Sequence, residues 1–127
     1  MAPPTEFSRR GFLDRKLAEA GAIFDTHART AVVLEFGDRR AELEAARHMG
    51  LADLSVLPRT GFKGAGTPAW LAGQGLGLPK ESNRATRQIG GEVAARLAPN
   101  EFLILGCLSG MKGGLSETLE ASWAALT

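Results

Sequence analysis

Glycine interrupts this chain at nearly every point where a helix or strand could otherwise grow long. Sixteen of the 127 residues are glycine. Several stand directly after an apolar or periodic run, at Gly21, Gly37, Gly50, Gly73 and Gly106. Glycine ends regular elements because it adopts backbone conformations that other residues avoid. We therefore expect a fold assembled from short elements.

The runs between these glycines alternate between helical and extended patterns. Apolar residues at helical spacing predict helices over residues 10–20, 38–49, 69–72 and 116–126. Short apolar or alternating runs predict strands, two within 22–36 and others at 51–57, 60–64, 84–88, 92–97 and 102–105. Together they indicate an α+β fold, a short and mainly antiparallel sheet with flanking helices.

The ends of the helices carry recognisable signals. Asp38, Thr67 and Ser116 have the side chains that cap helix N-termini, and Pro68 suits the first helical position. Gly50 is predicted to end its helix in a left-handed conformation. The helix over 38–49 would turn one apolar face, with Leu43, Ala46 and Met49, towards a core.

Composition bounds the class of protein and its compartment. The length predicts a single domain over 9–127 that follows an irregular, proline-rich arm over 1–8. Fifteen basic residues are offset by fourteen acidic ones, so we do not expect a nucleic-acid partner. One cysteine, Cys107, cannot form an intrachain disulfide, and no apolar run reaches about 18 residues. These features favour a cytoplasmic protein that does not span a membrane.

One glycine pair has the spacing of a dinucleotide-binding loop. The segment Gly64-Ala65-Gly66-Thr67-Pro68-Ala69 fits GxGxxA, and Glu81 follows at roughly the right distance. However, Pro68 removes one N–H donor at the helix start, and no second strand of a βαβ unit precedes Glu81. The pattern therefore favours a tight turn from strand to helix, with a nucleotide-binding module as the weaker interpretation.

Residues with catalytic chemistry are sparse, so no catalytic residue and no metal ligand is predicted. The only acid–hydroxyl–imidazole run is Asp25-Thr26-His27, and no serine sits on a nucleophile elbow.

Basic and aromatic side chains are the better candidates for contacts. Arg59, Lys63, Arg84 and Arg87 would meet an anionic ligand, an acidic partner or only water. Trp70, like Trp123, is predicted to be a core or interface anchor.

Three segments carry a resemblance to a known family. They read EFGDRRAELEAARHMGLADLS from Glu35, LPRTGFKGAGTPAWLAGQGLGLP from Leu57 and NRATRQIGGEVAARLAPNEFLIL from Asn83. The first two resemble the aminomethyltransferase family, the T-protein of glycine cleavage. The third is most similar to the gamma subunit of heterotetrameric sarcosine oxidase. The likeness covers about 20–126 and implies a truncated aminomethyltransferase N-terminal domain.

The resemblance also implies a function. Complete members of the superfamily bind tetrahydrofolate and collect a one-carbon unit released from a methylamine. Their acidic D-x-G-x-x-D-D hairpin would fall at 84–93, which here reads RATRQIGGEV. A gamma-like chain is implied to be a noncatalytic small subunit that binds no cofactor alone. It would pack against a larger subunit carrying the folate and flavin. The alternative is a compact tetrahydrofolate-dependent aminomethyltransferase or methyltransferase completed by a second chain or a homodimer.

Overall fold

The computed structural model describes residues 10–27, 30–107 and 114–126, and the chain divides into two compact units, Met1–Val56 and Leu57–Thr127. The interpretation of 9–127 as one domain stays a prediction, and the arm over 1–8 lies outside the described residues.

The first unit combines a β-hairpin with two helices. Its elements are α1 (Asp14–Glu19), β1 (Ile23–His27), β2 (Thr30–Glu35) and α2 (Arg39–His48). The two strands pair antiparallel, with Phe24 opposite Val33. The helix predicted over 10–20 is confirmed in shorter form, and so are the two strands predicted within 22–36.

The segment after α2 differs from its prediction. Residues 51–57 form no strand, although apolar and polar residues alternate there. The Asp53 carboxylate accepts a hydrogen bond from Ser55 N at 3.0 Å. Such a side-chain bond to the backbone two residues on closes a turn, which competes with an extended conformation. The strand prediction was therefore wrong at this point.

The two ends of α2 show one correct and one wrong prediction. Asp38 caps the helix, because its Oδ1 accepts from Arg40 N and Ala41 N, both at 3.0 Å. At the other end Met49 leaves the helix in an extended conformation, with φ −161° and ψ 131°. The left-handed cap predicted at Gly50 is wrong, because the chain has already left the helix one residue earlier.

Replacing Asp38 by alanine is expected to lower the stability of α2 by about 1 kcal/mol, because two helix N–H groups lose their acceptor. Urea unfolding followed by far-ultraviolet circular dichroism measures the change. The matched control is Asp38→Asn, which keeps an accepting oxygen and is expected to lose much less. Equal losses in the two variants would contradict the capping role.

The second unit is a four-stranded antiparallel sheet with two helices. Its elements are β3 (Arg59–Lys63), α3 (Thr67–Gly73), β4 (Arg84–Arg87), β5 (Val93–Ala98), β6 (Glu101–Leu105) and α4 (Leu115–Ala124). The strand order is β3-β6-β5-β4, so β3 and β4 form the two edges. The α+β class and the antiparallel pairing are confirmed, and the predicted β4–β5 hairpin turns at Gly91, where φ is 96°.

One face of this sheet builds the core of the second unit. Phe102 and Ile104 of β6 point inward with 1% and 0% of their surface exposed, while Leu105 is 36% exposed. Among the described residues, the core cluster consists of Phe62, Leu71, Leu76, Ala94, Phe102, Ile104 and Leu119. The strand predicted at 102–105 is therefore confirmed, with alternate residues buried as expected for a sheet covered on one face.

Two predicted helix caps in this unit are wrong. Thr67 is the first residue of α3 and Ser116 the second residue of α4, so the capping positions fall to Gly66 and Gly114. A capping side chain must stand before the helix to reach its first N–H groups. Both hydroxyl oxygens are instead buried without a hydrogen-bond partner.

Candidate functional site

The structure separates the four predicted basic contacts into two pairs. Arg59 and Lys63 lie on β3, whereas Arg84 and Arg87 lie on β4 at the opposite edge of the sheet. Three strand spacings separate the edges, or roughly 14 Å. The two pairs thus lie at opposite edges of the sheet and do not share one anion site.

Two of these basic side chains form ion pairs with neighbouring carboxylates. Lys63 Nζ lies 3.3 Å from Glu101 Oε2 on β6, and Arg84 Nε lies 3.5 Å from Glu81 Oε2. The Lys63 and Arg84 side chains remain 78% and 72% exposed. Such exposed pairs contribute little to stability, and both cations stay accessible to a partner.

Trp70 belongs to an aromatic cluster beside the core. Its ring centroid is 5.0 Å from that of Phe62 and 5.0 Å from that of Trp123. Trp123 lies 5.6 Å from Phe62 and is 39% exposed. These separations are typical of favourable aromatic pairs. The cluster joins α3 and α4 to β3 and brings one indole to the surface.

The candidate catalytic groups gain no further support. Asp25, Thr26 and His27 all lie on β1, and the side chains of Thr26 and His27 lie outside the described residues. Within the described part of the chain, no group of three or more His, Cys, Asp or Glu side chains is placed to hold a metal ion.

The surroundings of Asp53 change the acidity of its carboxyl group. The Ser55 side chain lowers the pKa of Asp53 below its ordinary value of 3.8, and the N–H groups of Ser55 and Leu13 lower it further. Partial burial opposes them. The Ser55 N–H group donates to Asp53 Oδ1 at 3.0 Å.

This lowered pKa gives a pH dependence with a definite sign. Because the folded pKa lies below the unfolded one, the contribution is present above about pH 4 and is lost as pH falls through the folded value. Thermal unfolding between about pH 5 and about pH 3 is expected to show a shallower loss of stability in Asp53→Asn than in the parent protein. Ser55→Ala keeps the N–H donors and should lie between them. Superimposable profiles for the parent and Asp53→Asn would refute the assignment.

The first unit presents an apolar surface, which we call the α2 face and define as Leu34, Phe36, Leu43, Met49 and Leu51. No residue of α2 is buried. Leu43, Met49 and Leu51 are 58%, 86% and 83% exposed. The prediction that the apolar side of α2 faces a core is therefore wrong, because that side is exposed. The sequence pattern predicted a buried surface here, and the structure shows the exposed α2 face.

The α2 face lines an open groove of about 800 Å³ between the end of β2, the helix and the segment after it. The groove wall also contains Glu35, Arg39 and Glu42. Glu42 Oε1 accepts a hydrogen bond from Phe36 N at 2.7 Å, which ties the helix to the end of β2. The apolar floor is therefore held between two elements with charges of both signs beside it.

The balance of buried and exposed apolar residues differs sharply between the units. Among the described residues of the first unit, the buried hydrophobic ones are Ala22, Ala31 and Val56. The exposed large ones there are Phe12, Leu13, Ile23, Leu34, Phe36, Leu43, Met49, Leu51 and Leu54. Exposed apolar side chains gathered in this way are typical of surfaces that bind another protein.

Comparisons of the chain with protein-family models, with curated proteins and with solved structures give no significant match. No helix among the described residues is both long and apolar enough to cross a membrane. The surfaces of this chain and the three segments that resemble a known family are therefore the basis for a functional proposal.

Proposed function

We propose that this chain is a noncatalytic small subunit of a tetrahydrofolate-linked amine oxidase or demethylase complex, similar to the gamma subunit of sarcosine oxidase. The larger partner subunit carries the folate and the flavin, and this chain contributes packing surface. The complex works in the cytoplasm and moves a methyl-derived carbon to tetrahydrofolate.

The observation that carries the proposal is the α2 face. No residue of α2 is buried, and Leu43 of the helix and Met49 directly after it are 58% and 86% exposed, so this apolar area packs against none of the described residues. Covering that area by a partner removes it from water, which favours association by roughly 25 cal/mol per Å² of apolar surface before the costs of binding. A subunit interface accounts for such a face directly.

The sequence supports the choice of partner. The segments around Glu35, Leu57 and Asn83 resemble the aminomethyltransferase family, and the third is nearest to the gamma branch. The hairpin that carries aspartates in complete members here has Arg84 and Arg87 on β4, with β5 beginning at Val93. Folate chemistry is thus assigned to the partner, and these arginines are available for acidic groups on it.

Calorimetric titration of the purified chain with tetrahydrofolate tests this division of roles. We expect no binding heat from the chain alone. Micromolar binding would overturn the noncatalytic role and favour the alternative, a compact tetrahydrofolate-dependent aminomethyltransferase or methyltransferase completed by a second chain or a homodimer. The matched titration uses the isolated larger subunit, which is expected to bind.

A further inference from the structure

The two edge strands of the four-stranded sheet, β3 and β4, have different neighbours. Beside β4, the Gln88 side chain donates to Gly77 O and accepts from Gly77 N, both at 2.9 Å, and so holds a loop against the end of that strand. In the part of the chain that the structure describes, β3 pairs with β6 on one side and with no strand on the other. An open strand edge is a template for pairing with another extended chain.

The register identifies which groups of β3 face the open side. Gly106 N donates to Pro58 O at 2.7 Å, and Gly64 N donates to Asn100 O at 3.0 Å. These contacts flank the strand, and hydrogen-bonded pairs alternate along an antiparallel ladder. Thr60 and Phe62 therefore bond to β6. The N–H and C=O groups of the three alternate residues, Arg59, Gly61 and Lys63, point to the open edge.

A groove follows this edge. It has a volume of about 340 Å³ and is lined by Thr60, Gly61, Phe62 and Lys63 of β3 with Glu120 and Trp123 of α4. Successive residues of a strand point to opposite faces, so a groove that touches four consecutive residues runs along the edge itself. Trp123, 39% exposed, offers an apolar wall on the helix side.

The side chains along the edge limit what can bind. Arg59, Gly61 and Lys63 are all exposed and share the face of the sheet opposite the core. Glycine leaves a gap between the two cations that a bulky side chain can fill. Glu120 of α4 lines the other side of the groove, so it disfavours acidic residues at the positions of a bound strand that lie opposite Thr60 and Phe62.

Charge argues against a second copy of this chain as the occupant. An antiparallel pair of β3 strands centred on Gly61 would place Arg59 opposite Lys63 of the other copy at both ends. Like charges directly opposite each other destabilise strand pairing. The same two cations attract carboxylates at the matching positions of a different chain.

We propose that the open edge of β3 binds an extended segment of a partner protein. That segment has acidic residues opposite Arg59 and Lys63, a bulky apolar residue opposite Gly61, and apolar or basic residues between them. Main-chain hydrogen bonds supply the attachment and the alternate side chains supply selectivity, as in other cases of strand addition. This inference rests on the proposed function only in taking the partner to be a protein.

Residue-resolved amide exchange by NMR tests the inference on the intact chain. The probe is a soluble peptide with the core Glu-Val-Phe-Val-Glu, and its control has the core Lys-Val-Phe-Val-Lys. The acidic peptide should slow exchange of the Arg59, Gly61 and Lys63 amides by about tenfold or more, since each gains an acceptor. The Thr60 and Phe62 amides, already bonded to β6, should change little.

Charge variants supply the second arm. The double variant Arg59→Glu/Lys63→Glu is expected to bind the acidic peptide about tenfold more weakly and the basic peptide more tightly. Arg84→Glu with Arg87→Glu makes the same charge change on β4, at the opposite edge of the sheet, and should leave the protection of the β3 amides by the acidic peptide unchanged. The double variant Arg59→Gln/Lys63→Gln removes both positive charges without adding a negative charge beside Glu101. Its affinity for the acidic peptide should fall by less than that of the double glutamate variant.

Several results would overturn the inference. One is equal slowing of amide exchange by the acidic and the basic peptide, and another is slowing that does not alternate along β3. A third is unchanged binding of the acidic peptide by the Arg59→Glu/Lys63→Glu variant. The last is the same slowing of exchange by self-association of the chain without peptide. If the Arg59/Lys63 variant retained the larger flavoprotein subunit at full affinity, the segment assignment would fail while the proposed function stood. If the acidic peptide bound as expected but no such subunit was recruited, the proposed function would fail instead.

Discussion

Replacement of Phe102 by alanine is expected to lower the free energy of unfolding by about 3–5 kcal/mol. Phe102 is the largest fully buried side chain among the described residues, at 1% exposure, and its position on β6 lies opposite Phe62 of β3 on one side and Arg96 of β5 on the other. The Arg96 guanidinium also lies 5.4 Å from its ring centroid. Truncation leaves a cavity and removes this contact, and chemical unfolding measured by fluorescence of the two tryptophans reports the loss.

The matched control for this core position lies on the same strand. Leu105 is 36% exposed and points away from the buried face, so Leu105→Ala is expected to cost under about 1 kcal/mol. A similar loss in both variants would mean that the two faces of β6 do not differ as described. A loss below about 1 kcal/mol in Phe102→Ala would remove this residue from the core.

The second large effect concerns the α2 face. Leu43→Glu combined with Met49→Lys keeps the net charge unchanged and is expected to weaken binding of the larger subunit by about thirtyfold or more. Both side chains are more than half exposed, so the fold of the isolated chain should persist. Surface plasmon resonance against the immobilised partner measures binding, and circular dichroism checks the fold.

A control of the same chemistry is available in the second unit. Ile89 is fully exposed and Leu97 is 46% exposed, and both are distant in sequence from the residues of the α2 face. Ile89→Lys with Leu97→Glu makes the same kinds of change and should leave the affinity unchanged. If both doubly substituted chains lost affinity equally, general surface chemistry and not the α2 face would explain the result.

The sequence predicted most elements of the second unit because local and tertiary preferences agree there. Phe102 and Ile104, the alternate apolar residues of β6, are buried as expected for a strand, and Gly91 adopts the positive φ that the hairpin turn requires. Predictions failed where a local side-chain bond competes with pattern, as at Asp53, or where helix bounds move by one or two residues, as at Thr67 and Ser116.

The candidate contacts were harder to place than the elements. Sequence identified Arg59, Lys63, Arg84 and Arg87 as basic, but strand order decides that they lie at opposite edges. Strand order depends on long-range pairing that no local pattern encodes. The apolar side of α2 was visible in the helical period, yet periodicity cannot tell a buried face from an exposed one. The exposed fractions of Leu43 and Met49 show that this face is not packed against the described residues.

The most direct measurement of the central claim is native purification of the full chain from its own cells, followed by sedimentation recorded at a flavin absorption wavelength. We predict that the chain sediments with a larger flavin-containing subunit in fixed stoichiometry, and that the Leu43→Glu/Met49→Lys chain does not. A chain that sediments as a stable monomer and never recruits a flavoprotein would contradict the account.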